Sequence, residues 1–247
     1  MLILAFETSA KAASVALMDE QKLLGESYQN TGLTHSQTLM VMAEDLLKQC
    51  GKTARDVTAV AVAEGPGSFT GVRIGVAAAK GFAWGREIPC IGVSTLEAMA
   101  ESLGIYQGYV SPVMDARRSQ VYNAAFYVNQ GVVERRRPDR AISLEELGNE
   151  IAWLEQPIFL VGDGSDLAHK YLCQKEYLLH KPVLPPEHRK HQRAVGVAIL
   201  AARQAAEGAA PSGGALTDSS KSPNPSRRSQ MMLYFMLHVS SRSKVRR

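Results

Sequence analysis

Apolar and polar positions along this chain fall into short runs that predict strands and helices, in an order that occurs twice. Three strand-like runs open it, Leu2 to Glu7, Ser14 to Met18 and Lys22 to Tyr28, joined by short polar turns. Runs of this kind bounded by turn residues read as an antiparallel meander. From roughly His35 to Cys50 the period becomes helical: Leu39, Met42, Leu46 and Gln49 share one side, with Met40 and Leu47 adjoining. Thr34 or Ser36 can cap its start, and Gly51 stands where a C-terminal glycine is expected. A buried strand over Val57 to Ala63 follows, then a glycine loop and a helix over Thr70 to Trp84. A strand over Cys90 to Val93 leads to a further helix starting at Ser94 or Thr95.

The order then returns. Tyr109 to Met114 is apolar and ends in Asp115, as the first strand ends in Glu7. Gln120 to Val128 and Gly131 to Arg136 are predicted as the next two strands. Ser143 caps a helix from about Leu144 to Leu154, with Glu146 completing a capping box. The strand Pro157 to Val161 then runs into Gly162-Asp163-Gly164-Ser165, matching the strand that carries Glu64. This is a duplicated α/β unit, predicting an N-terminal lobe over 1–104 and a C-terminal lobe over 105–190. A helix over about Arg193 to Glu207 is expected to pack back on the body, within a segment 191–208.

Past Gly208 the composition shifts to Gly, Ser and Pro, so 209–247 is expected to be a disordered basic tail. It holds one apolar run, Met231 to Leu237. From Thr217 on there are seven basic residues and one acid, a charge of +6; the other 216 residues therefore carry −2 against the whole chain's +4. A basic nucleic-acid groove on the body is not supported. The tail is expected to be removable without loss of the folded body. No apolar run is long enough for a membrane span, and the start meets an acid at once, unlike a signal peptide. Three cysteines without metal-ligand spacing, Cys50, Cys90 and Cys173, point to reduced thiols in the cytoplasm.

Candidate chemistry gathers at the strand ends. The stretch Glu64-Gly65-Pro66-Gly67-Ser68-Phe69-Thr70-Gly71 links a strand to a helix N-terminus, which brings backbone N–H groups to one point and suits an anion. It lacks the lysine of a Walker A loop, and its third glycine comes one place late for a dinucleotide fingerprint. The plainer alternative is a tight turn that lets the helix pack close to the sheet. Glu7, Thr8 and Ser9 would face the same region, the acid orienting a metal-bound water or receiving a hydroxyl, and the small hydroxyls leaving room for a phosphate. With Gly65, Gly67 and Ser68 they form the candidate nucleotide-facing loop. On the second helix Gly71, Gly75 and Ala79 recur every four residues, a spacing that lets helices approach closely. The neighbour could be the chain's own first helix or a partner's helix. His188 and His191 are spaced for helical chelation, but flanking prolines and basic residues argue against a metal. No nucleophile–base pair is readable, and no catalytic residue is assigned.

Leu4 to Ser9, Thr34-His35-Ser36, Glu64 to Gly75, and Met114 to Arg118 followed by Gln120-Val121-Tyr122 together resemble the TsaB (YeaZ) family over roughly residues 1 to 207. That family serves the formation of N6-threonylcarbamoyladenosine at position 37 of tRNA. The resemblance implies a two-lobed actin-like ATPase fold related to ribonuclease H. It also implies a non-catalytic scaffold that pairs with the larger paralogue TsaD, which carries the metal and the transferase site, with the ATPase TsaE joining them. ATP and metal are thus expected on partner subunits and no cofactor on this chain; tRNA is reached through the complex, and a homodimer is a further state of the isolated chain. The paralogue's metal site uses an H-x-x-x-H pair, and here His35 is followed four places on by Leu39. The resemblance places the interface on the first two helices, for which Leu39, Met42, Leu46, Gly71, Gly75 and Ala79 are the candidate residues. The family's usual C-terminal Tyr-Leu-Arg-type segment has no counterpart in 218–247. The competing reading is a stand-alone ATP-dependent enzyme of the actin-like superfamily, a small-molecule kinase or ATPase using Glu7 or Asp115 and the glycine loop.

Overall fold

In the computed structural model, which describes residues 1–105, 107–117 and 120–208, the chain builds two mixed sheets. The first contains β1 (Leu2–Glu7), β2 (Ala13–Asp19), β3 (Lys22–Gln29), β4 (Ala59–Gly65) and β5 (Cys90–Ser94), in the order β3-β2-β1-β4-β5. Its meander is antiparallel, and β1, β4 and β5 run parallel. The second contains β6 (Gly108–Arg117), β7 (Gln120–Asn129), β8 (Val132–Ser143) and β9 (Ile158–Val161), in the order β8-β7-β6-β9. Here too a meander precedes one parallel neighbour, β9 beside β6. The two sheets correspond strand for strand except that β5 has no second copy. This is the duplicated actin-like, ribonuclease H-like α/β architecture that the resemblance implied.

The helices are α1 (His35–Gln49), α2 (Phe69–Arg86), α3 (Thr95–Leu103), α4 (Leu144–Ile151), α5 (Ser165–Cys173), α6 (Glu187–Lys190) and α7 (Ala194–Ala206). Strand β1 is buried on both faces, which is why it reads as a continuous apolar run. Leu4 and Phe6 meet Leu39, Met42 and Leu46 of α1 and Ala79 and Ala83 of α2. Ile3 and Ala5 meet Val197, Ala198 and Ala201 of α7 on the opposite face. Helix α3 lies between the sheets: its Leu96, Met99 and Leu103 share one apolar cluster with Ala10 of the first lobe and Val110, Phe126 and Val161 of the second. A single core therefore continues from one sheet to the other.

Some elements differ from the sequence reading. Strand β8 is twice the expected length and continues through Pro138 to Ser143. As an edge strand it can carry a proline at an irregular point of its pairing, opposite Asn123 to Phe126, without losing a ladder bond. Helix α5 was not anticipated, because Gly162-Asp163-Gly164 reads as a loop with no periodic signal behind it. Helix α4 stops at Ile151, three residues early, though Ser143 and Glu146 do form the capping box. On α1 the inner side is Leu39, Met42, Ala43, Leu46 and Leu47, whereas Met40 and Gln49 turn outward. The expectations for 209–247, including the run Met231 to Leu237, lie outside the described residues.

Candidate functional site

The end of β1 is closed by its own backbone. The Ser9 amide donates to Glu7 Oε1 at 2.6 Å, and in the second lobe the Arg117 amide donates to Asp115 Oδ1 at 2.7 Å. The duplication thus reaches individual hydrogen bonds. Glu7 is 1% exposed, and its Oε2 meets no hydrogen-bond partner among the described residues. Burial pushes its carboxyl up to about 7; the bonds from Ser9 oppose this and the charge of Asp163 adds to it. Lost hydration likewise raises Asp163, against the Gln192 amide, which donates to it at 3.4 Å. Burial also raises Glu64, with Lys80 opposing, and the Glu64 carboxylate lies over Gly92, where a Cβ would stand 2.2 Å from Oε2. Glu7 and Asp163 face each other closely enough for their charges to interact, and no ion pair reaches either among the described residues.

The glycine loop packs onto this strand end. Gly65 has φ +120° and precedes a cis Pro66. The Ser68 amide donates to the Ser9 carbonyl at 2.7 Å, and the Ser68 hydroxyl caps α2 by accepting from the Gly71 amide at 3.3 Å. Thr8 Oγ1 donates to the Gly71 carbonyl at 2.8 Å. A Cβ on Gly67 would stand 2.6 Å from the Ser9 carbonyl oxygen and 3.2 Å from Met114 Cε; on Gly71, 2.1 Å from the Thr8 carbonyl oxygen; on Gly75, 2.4 Å from Thr8 Oγ1. Beside Thr8 and Ser9 the loop is packed at Gly67, against Ser9 and Met114, the latter 2% exposed, whereas space around Gly65 is open and Ser68 is exposed. Gly67, Gly71 and Gly75 serve close approach of loop and helix to the end of β1.

The six expected interface residues also turn inward. Leu39, Met42, Leu46 and Ala79 are under 5% exposed within the first lobe's own core, and Gly71 and Gly75 face Thr8 and Val62. The close approach of Gly71 and Gly75 is to the end of β1 rather than to α1. The outward side is different and still apolar: Leu33 is 59% exposed, Val41 56%, Phe69 70% and Trp84 52%. The Arg73 guanidinium stacks 3.5 Å from the Phe69 ring centroid. The helical wheel carried this signal, since Phe69, Arg73, Lys80 and Trp84 fall on one stripe of α2. A hollow of about 310 Å³ lies between the N-termini of α1 and α2, lined by Lys11, Asn30, Thr34, His35 and Thr70 among others. Thr34 stands at the N-cap of α1 but makes no side-chain cap bond, contrary to expectation; His35 Nε2 bonds the Ala10 carbonyl at 2.8 Å and holds the first hairpin.

His191 Nε2 pairs with Glu187 Oε1 at 2.8 Å, and no group of three or more His, Cys, Asp or Glu among the described residues could hold a metal. Cys50, Cys90 and Cys173 are free thiols. No described helix is long and apolar enough to cross a membrane.

The model of the family described as TsaD, tRNA N6-adenosine threonylcarbamoyltransferase, matches residues 29–205. The tRNA threonylcarbamoyladenosine biosynthesis protein TsaB of Bacillus subtilis is 35% identical over 174 residues, covering 70% of this chain and 76% of that protein. TsaB of Escherichia coli is 36% identical over 152 residues, 61% of this chain and 65% of its own length. Among solved structures, YeaZ from Pseudomonas aeruginosa superposes with a TM-score of 0.70 at 28% identity, covering 84% of this chain and 93% of that one.

Proposed function

The chain belongs to the TsaB family of tRNA threonylcarbamoyladenosine biosynthesis proteins, and on that footing we propose that it works as a non-catalytic scaffold. It binds and activates a TsaD-type threonylcarbamoyltransferase so that the complex modifies tRNAs reading codons that start with A. One observation carries this reading: the outward sides of α1, α2 and the loop before α1 display Leu33, Val41, Phe69 and Trp84 to solvent. Exposed aromatic and aliphatic groups on two neighbouring helices favour a protein partner. ATP and the metal belong to the partner subunits, consistent with Leu39 standing where the paralogue's second metal histidine would be. A TsaE-type ATPase joins the pair, and two copies of this chain use the same face when no partner is present. Work on tRNA and the free thiols fit a cytoplasmic setting. The alternative of a stand-alone kinase or ATPase is disfavoured by the packing of Met114 and Ser9 against the glycine loop.

The test is calorimetric titration of this chain with a TsaD-type protein, using wild type, Val41→Asp and Phe69→Asp. Both variants should bind at least tenfold more weakly with unchanged melting temperature, and the chain alone should show no ATP turnover. Unchanged affinity in both variants, or robust turnover by the chain free of partners, overturns the reading.

A further inference from the structure

Helix α2 carries Arg73, Lys80 and Arg86 and no acid along its 18 residues. Two of these cations are answered within the chain. Lys80 interacts with the charge of Glu64, and the Arg86 guanidinium donates to the backbone carbonyls of Ala54 and Arg55. Arg73 is different. Among the described residues no hydrogen bond or carboxylate reaches its guanidinium, whose one side-chain contact is the Phe69 ring. By comparison, Arg135, Arg136, Arg140, Arg193 and Arg203 each hold a carboxylate.

Arg73 is nevertheless held in place. It stands one helical turn after Phe69, and its guanidinium lies flat enough to sit 3.5 Å from the ring centroid. Stacking occupies the face of the guanidinium and leaves the N–H donors at its edge free. A long side chain ordered in advance loses less freedom when a partner arrives. The surroundings add to its charge. The first turn of α2 holds no acid to offset the positive end of the helix dipole. Thr70 and Ile74, on either side of Arg73, line the hollow that Lys11 also borders, and the first turn of α1 across that hollow holds no acid either. This corner is electropositive although the folded body carries −2.

We propose that Arg73, stacked on Phe69, is the anchor for an aspartate or glutamate carboxylate that the protein partner presents from an otherwise apolar surface. The inference rests on the docking face proposed above and adds the chemistry that the partner must bring to it. The edge of a guanidinium matches a carboxylate with two parallel N–H···O bonds. Phe69, 70% exposed, supplies the apolar contact beside that pair, and Trp84 continues the stripe at the far end of the helix. Arginine beside an aromatic anchor is the composition of residues that dominate protein interfaces. Docking shuts out water, and the attraction between the charges grows as the local dielectric falls. Phosphate-backbone binding draws on several cations together, and with Lys80 and Arg86 already answered, a protein carboxylate is the better match than RNA.

Calorimetric titration of the full chain with a TsaD-type protein, at low and high sodium chloride, tests it on wild type, Arg73→Gln, Arg73→Lys and Val41→Asp. Arg73→Gln should bind at least tenfold more weakly at low salt with an unchanged melting temperature. Arg73→Lys should recover only part of that loss, because an ammonium lacks the paired donors. Wild-type affinity should fall more steeply with salt than that of Arg73→Gln. Arg73→Glu should regain affinity when one acid on the partner is reversed to lysine. Weaker binding of Val41→Asp, with Arg73→Gln matching wild type at both salts, overturns the carboxylate anchor and leaves the docking face standing. Unchanged binding of both variants overturns the two together. Loss of tRNA retention by Arg73→Gln with partner affinity intact would make the contact an RNA phosphate and likewise overturn the inference.

Discussion

Thr8 Oγ1 donates to the carbonyl of Gly71 at 2.8 Å, across 63 positions of sequence, and so fastens the end of β1 to the first turn of α2. The bond forms only because Gly71 and Gly75 carry no side chain toward Thr8. Loop, strand end and helix are one packed unit, and substitutions at these glycines act on folding first.

Gly71→Ala is expected to lower stability. Its new Cβ would stand 2.1 Å from a backbone oxygen, and backbone has to move to admit it. Overpacking of this sort costs about 1–3 kcal/mol, a fall in melting temperature of about 2–12 °C. Gly75→Leu should lower the melting temperature as well, and any loss of partner binding should track it. Thermal melts and partner titrations on the same samples decide the matter; lost binding at an unchanged melting temperature would place Gly75 at a partner's surface.

Leu46→Ala and Val41→Ala on the same helix should behave oppositely. Leu46 is 4% exposed in the core beneath α1, so its truncation should cost about 2–5 kcal/mol. Val41 is 56% exposed, and its truncation should stay within about 0.5 kcal/mol. Urea denaturation of both variants would reveal an inverted order if the helix faced the other way.

Glu7 makes stability depend on pH with a definite sign. Its folded pKa, about 7, lies above the reference 4.5, so the native state holds the proton more tightly than the unfolded chain. The contribution is complete below pH 4.5, declines between 4.5 and about 7, and is gone above that. The span corresponds to about 3 kcal/mol. Glu7→Gln keeps an oxygen for the Ser9 amide and does not titrate, so its unfolding free energy should fall less than wild type between pH 5 and 8. Parallel curves for the two proteins would remove Glu7 from the account.

Ser143→Ala removes the reciprocal bonds with Glu146 at the start of α4. A loss of about 1 kcal/mol is expected, read by urea midpoint, with Glu146→Ala similar and the double variant less than additive. Additive losses would mean that the two side chains cap independently.

Much of the fold was legible because it is local. β1 shows as a continuous apolar run because it is buried on both faces. The capping box at Ser143 lies within four residues, and the repeated order of strands needs only the order itself. The glycine string and the strand-end acids marked the right place, and their resemblance pointed to the family that the comparisons show. Burial, in contrast, has a direction that spacing cannot supply. Gly71, Gly75 and Ala79 announce a close approach whatever approaches them, and only the tertiary structure made the neighbour Thr8. Met40 and Met42 are equally apolar on paper, yet one faces solvent and the other the core.

The amino-acid sequence by itself determined the duplicated α/β plan, the capping box at Ser143, and the family, because each is written in residue types at short range. The tertiary structure alone decided that Gly67 packs on Ser9 and Met114, that Glu7 is buried with Oε2 unpartnered among the described residues, and that Arg135 and Asp139 reach across to Ser94 and Glu97. Those outcomes depend on which surfaces meet after the chain has folded back on itself, and such meetings join residues tens of positions apart that carry no mark of one another in the chain.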